Sequence, residues 1–297
     1  TILYLRSQDA TVDELGRRWS YRASVFAYGL SVITYPIVLG FPAVLIAIDF
    51  FPLHRFVEGG RLRLWNGPAR RAWLGKLPYF AIALSLVALT LYGRFRHTEY
   101  WIQPASMADF GFGARLMQAA HVWAYYVWKP LIPTGLSPVY TSLIWNDPVD
   151  VDFVLSLVFV LGLSVLLVIK WREWPMLLAV WVAHLGSLAP MLGLTERPHY
   201  EHDRYGIING IFWSVLLVAA VLRFRGVPAG RKWGLVMGVL FLAGGSVASL
   251  RYSRVWRDDV SFFRHMATHL GENEFRNLAL MNLGEALVAA GRYEEAI

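Results

Sequence analysis

The chain alternates between long apolar stretches and short polar segments. Crossing the roughly 30 Å hydrocarbon core of a bilayer takes about 20 helical residues, with some tolerance for shorter helices. The candidate spans lie at residues 21–35, 36–53, 77–92, 151–169, 176–194, 206–222 and 234–250. Pro36 interrupts the first apolar region, so its two halves are predicted to form either a short hairpin or one kinked helix. The pattern predicts an all-α protein in which residues 1–250 form a polytopic transmembrane helix bundle.

The basic residues predict how this bundle is oriented. Sixteen of the 28 Lys and Arg residues lie in segments 1–22, 54–76, 170–172 and 223–232, while the loops on the other face carry few. Lys and Arg in short loops stay on the cytoplasmic side, so these four segments are predicted to be cytoplasmic. Basic loops alternate regularly with loops of the opposite face only if residues 112–128 do not cross the membrane. The aromatic residues of this segment, with Arg115 and His121, suit an interfacial or re-entrant helix. Residues 251–297 are then extracytoplasmic.

Composition agrees with a membrane protein and narrows the chemistry. The chain is 56% hydrophobic and 16% charged, whereas about a quarter of the residues in an average soluble domain are charged. It contains no cysteine, which excludes disulfides, thiolate metal sites and a cysteine nucleophile. The net charge of +7 is a signal of topology, because the basic residues lie between apolar stretches, and no nucleic-acid partner is expected.

The last part of the chain, residues 251–297, has a different composition. Long apolar stretches end there, and residues 277–297 predict a helix, a tight turn at Gly291 and a second helix beginning at Tyr293. Leu283, Gly284 and Ala296, together with Gly291 and Tyr293, match the tetratricopeptide (TPR) pattern. One such repeat cannot bury its own apolar face. We therefore expect an extracytoplasmic helical tail with a truncated repeat at 277–297, continued by further repeats beyond Ile297.

Several segments, in this order, carry a resemblance to a known family. They are YPIVLGFPAVLIAIDFFPL at 35–53, KLPYFAIAL at 76–84, YVWKPLIPTGLSPVY at 126–140, LAPMLGLTERPHYEHDRYG at 188–206 and VWRDDVSFFRH at 255–265. Followed by the repeat, they resemble GT-C-class polytopic membrane glycosyltransferases with C-terminal TPR repeats, related to transmembrane-and-TPR O-mannosyltransferases. The resemblance implies protein O-glycosylation, in which a sugar moves from a polyprenyl-phosphate donor to a protein or glycan hydroxyl outside the cytoplasm.

The chain departs from the family pattern at two places. Tyr205 is followed by Gly206 and two isoleucines, where the family often has a Tyr-Leu-Pro type sequence. The first extracytoplasmic loop, which in this family supplies the catalytic carboxylate, would precede Thr1. We therefore treat the chain as a fragment whose catalytic residue is expected upstream.

The segment 195–205, TERPHYEHDRY, is the densest polar cluster between two apolar stretches. An arginine fork grips a phosphate bidentately, and neutralising a leaving phosphate stabilises the transition state of sugar transfer. The predicted contacts to the donor phosphate are Arg204, His202, Tyr205, Arg197 and, from the interfacial helix, Lys129. Two plainer interpretations remain open: a solvated loop with charges that cap helices, and a Lys129 that extends to the headgroups.

A divalent cation such as Mg²⁺ or Mn²⁺ is a further possibility, because carboxylate and imidazole groups recur in two loops. The candidate acidic or metal-binding residues are Glu196, His199, Glu201, Asp203, Asp147 and Asp150. Asp147 and Asp150 could also act as a base on an acceptor hydroxyl, or simply mark a membrane exit. Asp49 lies in an apolar stretch, where carboxylates are functional candidates, although its position near Pro52 also fits a plain interfacial residue.

Two functions of different classes follow. The first is a membrane glycosyltransferase of GT-C class that uses a polyprenyl-phosphate donor, with an acceptor protein bound by the repeats. The second is a non-enzymatic membrane scaffold, in which the bundle anchors a TPR surface for protein partners. In both cases the chain is embedded in a lipid bilayer, and the excess of Arg over Lys favours a bacterial inner membrane with the tail on the extracytoplasmic side.

Overall fold

The computed structural model describes residues 1–96, 106–108, 110–137, 149–194, 205–223, 228–272 and 274–297. Apart from the two-residue strands β1 (Val57–Glu58) and β2 (Arg61–Leu62), the regular elements described are helical. The α-helices are α1 Ile2–Gln8, α2 Glu14–Thr34, α3 Phe41–Phe50, α4 Gly67–Leu74, α5 Leu77–Arg96, α6 Phe112–Trp128, α7 Val151–Ile169, α8 Pro175–Leu188, α9 Gly206–Arg223, α10 Pro228–Ser253, α11 Asp259–His269 and α12 Glu274–Ala289. The all-α class predicted from the sequence is confirmed.

The element boundaries follow the apolar pattern closely in places. Helix α7 has the predicted bounds, and the break at Pro36 is present, because α2 ends at Thr34 and a short 3-10 helix, Pro36–Gly40, precedes α3. Helix α2 begins seven residues earlier than the predicted span, at Glu14, and its first two turns are polar. Hydropathy locates the apolar part of a helix, whereas backbone hydrogen bonding continues into its polar end.

Two helical segments among the described residues are long and apolar enough to cross a membrane: Gly67–Arg96, which joins α4 and α5, and Val151–Ile169. Shorter apolar helices lie at Ile37–Phe50, Pro175–Met191 and Gly206–Ala220. Much of the apolar surface of α7 is exposed, including Leu155 and Val158 at about 60%. A polytopic bundle therefore remains a prediction that goes beyond these two segments.

The structure divides into two compact units: Thr1–Trp123 with Val151–Arg197, and Ala124–Asp150 with Pro198–Ile297. In the first unit, α3 packs along α8, and α1 packs on α2. Its core is rich in tyrosine, with Tyr4, Tyr28 and Tyr79 buried together with Val32 and Leu45. In the second unit α10 continues past the predicted domain boundary at residue 250 and ends at Ser253.

Helices α3 and α8 come unusually close where small residues face each other. A Cβ placed on Gly186 of α8 would lie 2.1 Å from the Cβ of Ala43, and one on Gly40 would lie 2.1 Å from the carbonyl oxygen of Gly186. Real Cβ atoms do not approach so closely, so only glycine fits at these two positions. The packing of α8 against α3 therefore depends on backbone contact rather than on interdigitated side chains.

Helix α6, which the sequence predicts to be interfacial or re-entrant, is partly buried in the protein. Its bounds are those predicted, but Ala119, Ala120 and Val122 are buried. Its polar side chains point to protein carbonyls: Arg115 donates to the carbonyl oxygens of Phe110 and Leu194, and Gln118 donates to those of Leu192 and Gly193. These polar groups therefore bind backbone oxygens inside the protein, while the prediction of an interfacial or re-entrant helix stays a prediction.

The tail forms a helical pair in the second unit. Helices α11 and α12 pack through Met266, Ala267, Leu270 and Ala279. The predicted turn is present, with Gly291 at a φ of +72°, a conformation that favours glycine. After it, Tyr293–Glu295 forms a single 3-10 turn at the predicted start of the second helix. The assignment of this pair to the TPR family stays a prediction.

We predict that Asn66→Ala destabilises the protein by about 1 kcal/mol, because Asn66 caps α4. Its side-chain oxygen accepts a hydrogen bond of 2.8 Å from the backbone N–H of Ala69. The measurement is the midpoint of thermal unfolding in detergent. Asn66→Ser, which keeps a capping oxygen, should retain most of the stability. Equal losses in the two variants would show that the cap is not the source of the effect.

Candidate functional site

The first unit contains a fully buried pair of opposite charges, Asp49 and Lys76. Asp49 lies in the last turn of α3, and Lys76 lies in the turn between α4 and α5. Both side chains are 0% exposed, and the Lys76 ammonium donates to the Asp49 carboxylate. The Asp49 carboxylate is thus matched by a lysine inside the protein, while its depth relative to a membrane stays a prediction. An unpaired charge in that position would be far more costly than the pair.

Tyr4 of α1 completes the pair from the opposite side. Its hydroxyl donates a hydrogen bond of 2.8 Å to one oxygen of Asp49 and accepts one from Lys76. Its ring packs edge-on against Tyr79 of α5, with ring centroids 6.3 Å apart. Burial, and then the negative charge of Asp49, raise the pKa of the Tyr4 phenol well above its ordinary value. The phenol is thus a permanent donor that fixes α1 to α3.

Arg55 adds a second positive charge to the same carboxylate from the solvent side. One guanidinium nitrogen lies 3.7 Å from an oxygen of Asp49, and the other donates to the side-chain oxygen of Gln8. The backbone N–H of Arg55 also bonds the carbonyl oxygen of Asp49, at 2.8 Å. With Lys76 on one oxygen and Tyr4 and Arg55 on the other, the Asp49 carboxylate is fully engaged. This arrangement suits a structural anchor better than a proton acceptor.

Most of the site predicted from the sequence lies outside the described residues. That group comprises Glu196, Arg197, His199, Glu201, His202, Asp203, Arg204 and Asp147. Of the remaining candidates, Asp150 is exposed directly before α7, and Tyr205 directly precedes α9. Lys129 directly follows α6 in the second unit. Their proposed contacts with a donor phosphate remain predictions.

Lys129 is buried, which neither sequence-based interpretation anticipated. The residue is 8% exposed, and its ammonium donates to the carbonyl oxygen of Thr134 at 2.8 Å. It also lies 5.5 Å from the ring centre of Tyr125 and 5.3 Å from that of Trp128, within the range of cation–π attraction. The chain after α6 passes through Gly135 at a φ of +57°, and its carbonyl oxygens at Thr134 and Gly135 accept from the Lys129 ammonium.

The start of α9 lies against the same part of α6. A Cβ on Gly206 would be 3.4 Å from the ring of Tyr126, and Tyr126 precedes Lys129 by three residues. The structure therefore brings the residue that ends the predicted phosphate loop close to the helix end that carries the predicted lysine. The tail also contacts this region, because His265 of α11 bonds the carbonyl oxygen of Leu136 at 2.8 Å.

Among the described residues, no group of three or more His, Asp or Glu side chains is placed to hold a metal ion. The predicted metal ligands His199, Glu201 and Asp203 lie outside that part of the chain, so the Mg²⁺ or Mn²⁺ prediction is not tested by it. Comparisons with protein-family models, curated proteins and solved structures find no match for this chain.

Sequence reasoning found Asp49 but missed its partners. Tyr4 is 45 residues away in sequence and Lys76 is 27 residues away, so no local motif links them. One signal was available: a carboxylate in an apolar stretch needs a cation, and Lys76 is the one lysine in the first 128 residues. The positive-inside count had used Lys76 as a marker of topology, although its charge is neutralised inside the protein.

Proposed function

We propose that this chain functions as a membrane glycosyltransferase of GT-C class. It would transfer a sugar from a polyprenyl-phosphate donor to a protein or glycan hydroxyl on the extracytoplasmic face. The proposed setting is a polytopic bundle in a bacterial inner membrane, with the helical tail on the extracytoplasmic side. Support for the membrane part comes from Gly67–Arg96 and Val151–Ile169, the two segments that are long and apolar enough to cross.

The contact between α9 and α6 carries the proposal. Gly206 lies against Tyr126, so the start of α9, directly after Tyr205, lies near the end of α6 that precedes the buried Lys129. Lys129 contacts backbone carbonyl oxygens and aromatic rings in this region. Its ammonium is one of the proposed contacts to the donor phosphate.

The proposed chemistry assigns separate roles to separate groups. In transfer, the acceptor oxygen bonds to the anomeric carbon, the bond from that carbon to the donor phosphate breaks, and the hydroxyl proton passes to a base. Arg204, with Arg197, His202 and Tyr205, would bind the phosphate and stabilise its developing charge. The resemblance to GT-C enzymes implies a carboxylate as the base. Asp147 and Asp150, or a cation held by Glu196, His199, Glu201 and Asp203, remain alternatives for the acidic role.

We predict that Arg204→Ala weakens the binding of polyprenyl phosphate to the whole chain in detergent by about tenfold, as expected when one charge-assisted phosphate contact is lost. The matched control is Arg172→Ala, since Arg172 is an exposed arginine on the predicted cytoplasmic face. Binding is measured by titration with the lipid phosphate. If both variants bind as tightly as the parent, Arg204 does not hold the phosphate.

A scaffold function is the second candidate, and the surface of α12 favours it. Leu278, Leu280, Met281 and Val288 are each about half exposed, as expected of a repeat helix that stacks on a further repeat or a partner protein. A pure scaffold has no reason to recognise a polyprenyl phosphate. Failure of the parent chain to bind that lipid, while still binding a protein partner, would favour the scaffold.

A further inference from the structure

A polar pocket of about 380 Å³ opens beside the Asp49–Lys76 pair in the first unit. Its wall includes Tyr4 and Gln8 of α1, Tyr21 of α2 and Arg71 of α4. Arg55, which lies between α3 and α4, also lines it. Tyr4 separates the pocket from the buried pair, because its hydroxyl contacts both Asp49 and Lys76. The pocket thus has a rigid floor and two arginines in its wall.

The charges around the pocket favour an anion. No carboxylate lines it, and Asp49 behind it is already matched by Lys76. Arg55 lies 3.7 Å from Asp49, while Arg71 is exposed and makes no salt bridge to another described residue. Together, the four ionised side chains of Asp49, Lys76, Arg55 and Arg71 therefore carry a net positive charge. Two arginines line this pocket, and a guanidinium group binds a phosphate ester through charge-assisted hydrogen bonds. Arg71 is the exposed one, whereas the Arg55 guanidinium also donates to Gln8.

Exposed apolar residues in the segments that line the pocket favour a lipid as the source of that phosphate. Ile2 of α1 is 82% exposed, and Trp65, just before α4, is 81% exposed. Trp19, on the α2 turn that carries Tyr21, is also exposed. Exposed tryptophans next to basic groups are typical of the membrane–water interface, where the indole rings lie among the headgroups. A water-soluble phosphate compound would gain nothing from these apolar side chains, whereas a lipid would contact both the arginines and the apolar side chains.

We infer that the Arg55–Arg71 pocket binds the phosphate group of an anionic membrane lipid. The basic segments that form it, 1–22 and 54–76, are those that the charge pattern predicts to be cytoplasmic, so the lipid belongs to the cytoplasmic leaflet. The site is separate from the predicted donor loop and does not depend on sugar transfer. Bound lipid would link α1, α4 and the loop before α4 through one phosphate, in addition to the Tyr4–Asp49 hydrogen bond.

The test uses the whole chain in neutral detergent, titrated with phosphatidylglycerol or phosphatidylcholine and read by native mass spectrometry. We expect tighter binding of phosphatidylglycerol, and a loss of about tenfold for Arg71→Gln, which removes a charge-assisted contact. The matched control is Arg70→Gln. Arg70 is the preceding residue of α4, is exposed and lies outside the pocket lining, so it loses the same charge and should change affinity by less than about twofold at physiological salt.

Three results would overturn the inference. Equal losses for Arg70→Gln and Arg71→Gln would mean a diffuse attraction to the basic surface. Unchanged affinity in Arg71→Gln, with the same melting temperature as the parent, would mean that the lipid binds elsewhere. Glycerol 3-phosphate binding as tightly as phosphatidylglycerol, and equally sensitive to Arg71→Gln, would identify a water-soluble ligand instead of a lipid.

Discussion

Replacing Lys76 with Met is expected to destabilise the protein by about 3–5 kcal/mol, the cost of leaving one charge of a buried pair without its partner. Lys76 and Asp49 are both 0% exposed, so water cannot take the place of the lost ammonium. Arg55, at 3.7 Å, would offset only part of the charge, and the Tyr4 hydroxyl would lose the donor that it accepts from. Unfolding followed in denaturant, in a fixed detergent, measures the change.

The matched control is Lys170→Met, at a lysine that pairs with Glu173 on the surface. That pair has a nitrogen–oxygen distance of 2.8 Å, and its side chains are 39% and 60% exposed. Exposed pairs contribute less than about 1 kcal/mol. The double variant Asp49→Leu with Lys76→Met should recover much of the stability lost in Lys76→Met, because it leaves no buried charge. If Lys76→Met were no worse than Lys170→Met, the pair would not be buried in the folded protein.

Gly186→Ala should destabilise the protein by about 2–3 kcal/mol, near the upper end for overpacking of a rigid site. The added methyl group would lie 2.1 Å from the Cβ of Ala43, so α3 and α8 would have to separate. Because backbone atoms of Gly40 and Gly186 also face each other here, no flexible side chain can move aside to make room. The loss appears as a lower melting temperature of the detergent-solubilised chain.

Gly162→Ala in α7 is the control, since a Cβ at that position would meet no atom within 4 Å, and alanine is the better helix former. It should leave the stability unchanged or slightly higher. Adding Ala43→Gly to Gly186→Ala removes the clashing methyl group and should restore part of the loss. A Gly186→Ala protein as stable as Gly162→Ala would show that α3 and α8 are farther apart than the structure has them.

The sequence predicted the all-α class, the bounds of α6 and α7 and the turn at Gly291, because periodic apolar residues and a glycine that adopts positive φ are local signals. It could not predict the environment of α6. Whether Arg115 faces headgroups or the carbonyl oxygen of Leu194, 79 residues away, depends on which segments pack together. Local pattern carries no information about that choice.

The candidate site, like the fold, could be predicted where the signal is local and not where it depends on tertiary packing. The polar loop 195–205 is recognisable because charged residues are rare between apolar stretches. By contrast, the Arg55–Arg71 pocket joins residues from α1, α2 and the region 55–75, which are brought together only by tertiary packing. Counting Arg55, Arg71 and Lys76 together as topology signals hid the fact that one neutralises a buried carboxylate while the other two line a pocket.

We propose that the chain spans a membrane, with the Arg204 loop and the tail on the extracytoplasmic side. The most direct test fuses a topology reporter after Ile297 in cells that express the whole chain. We expect a signal from a reporter that is active only outside the cytoplasm, and none from one that is active only inside it. The reverse result would contradict the predicted orientation and, with it, the placement of the donor site.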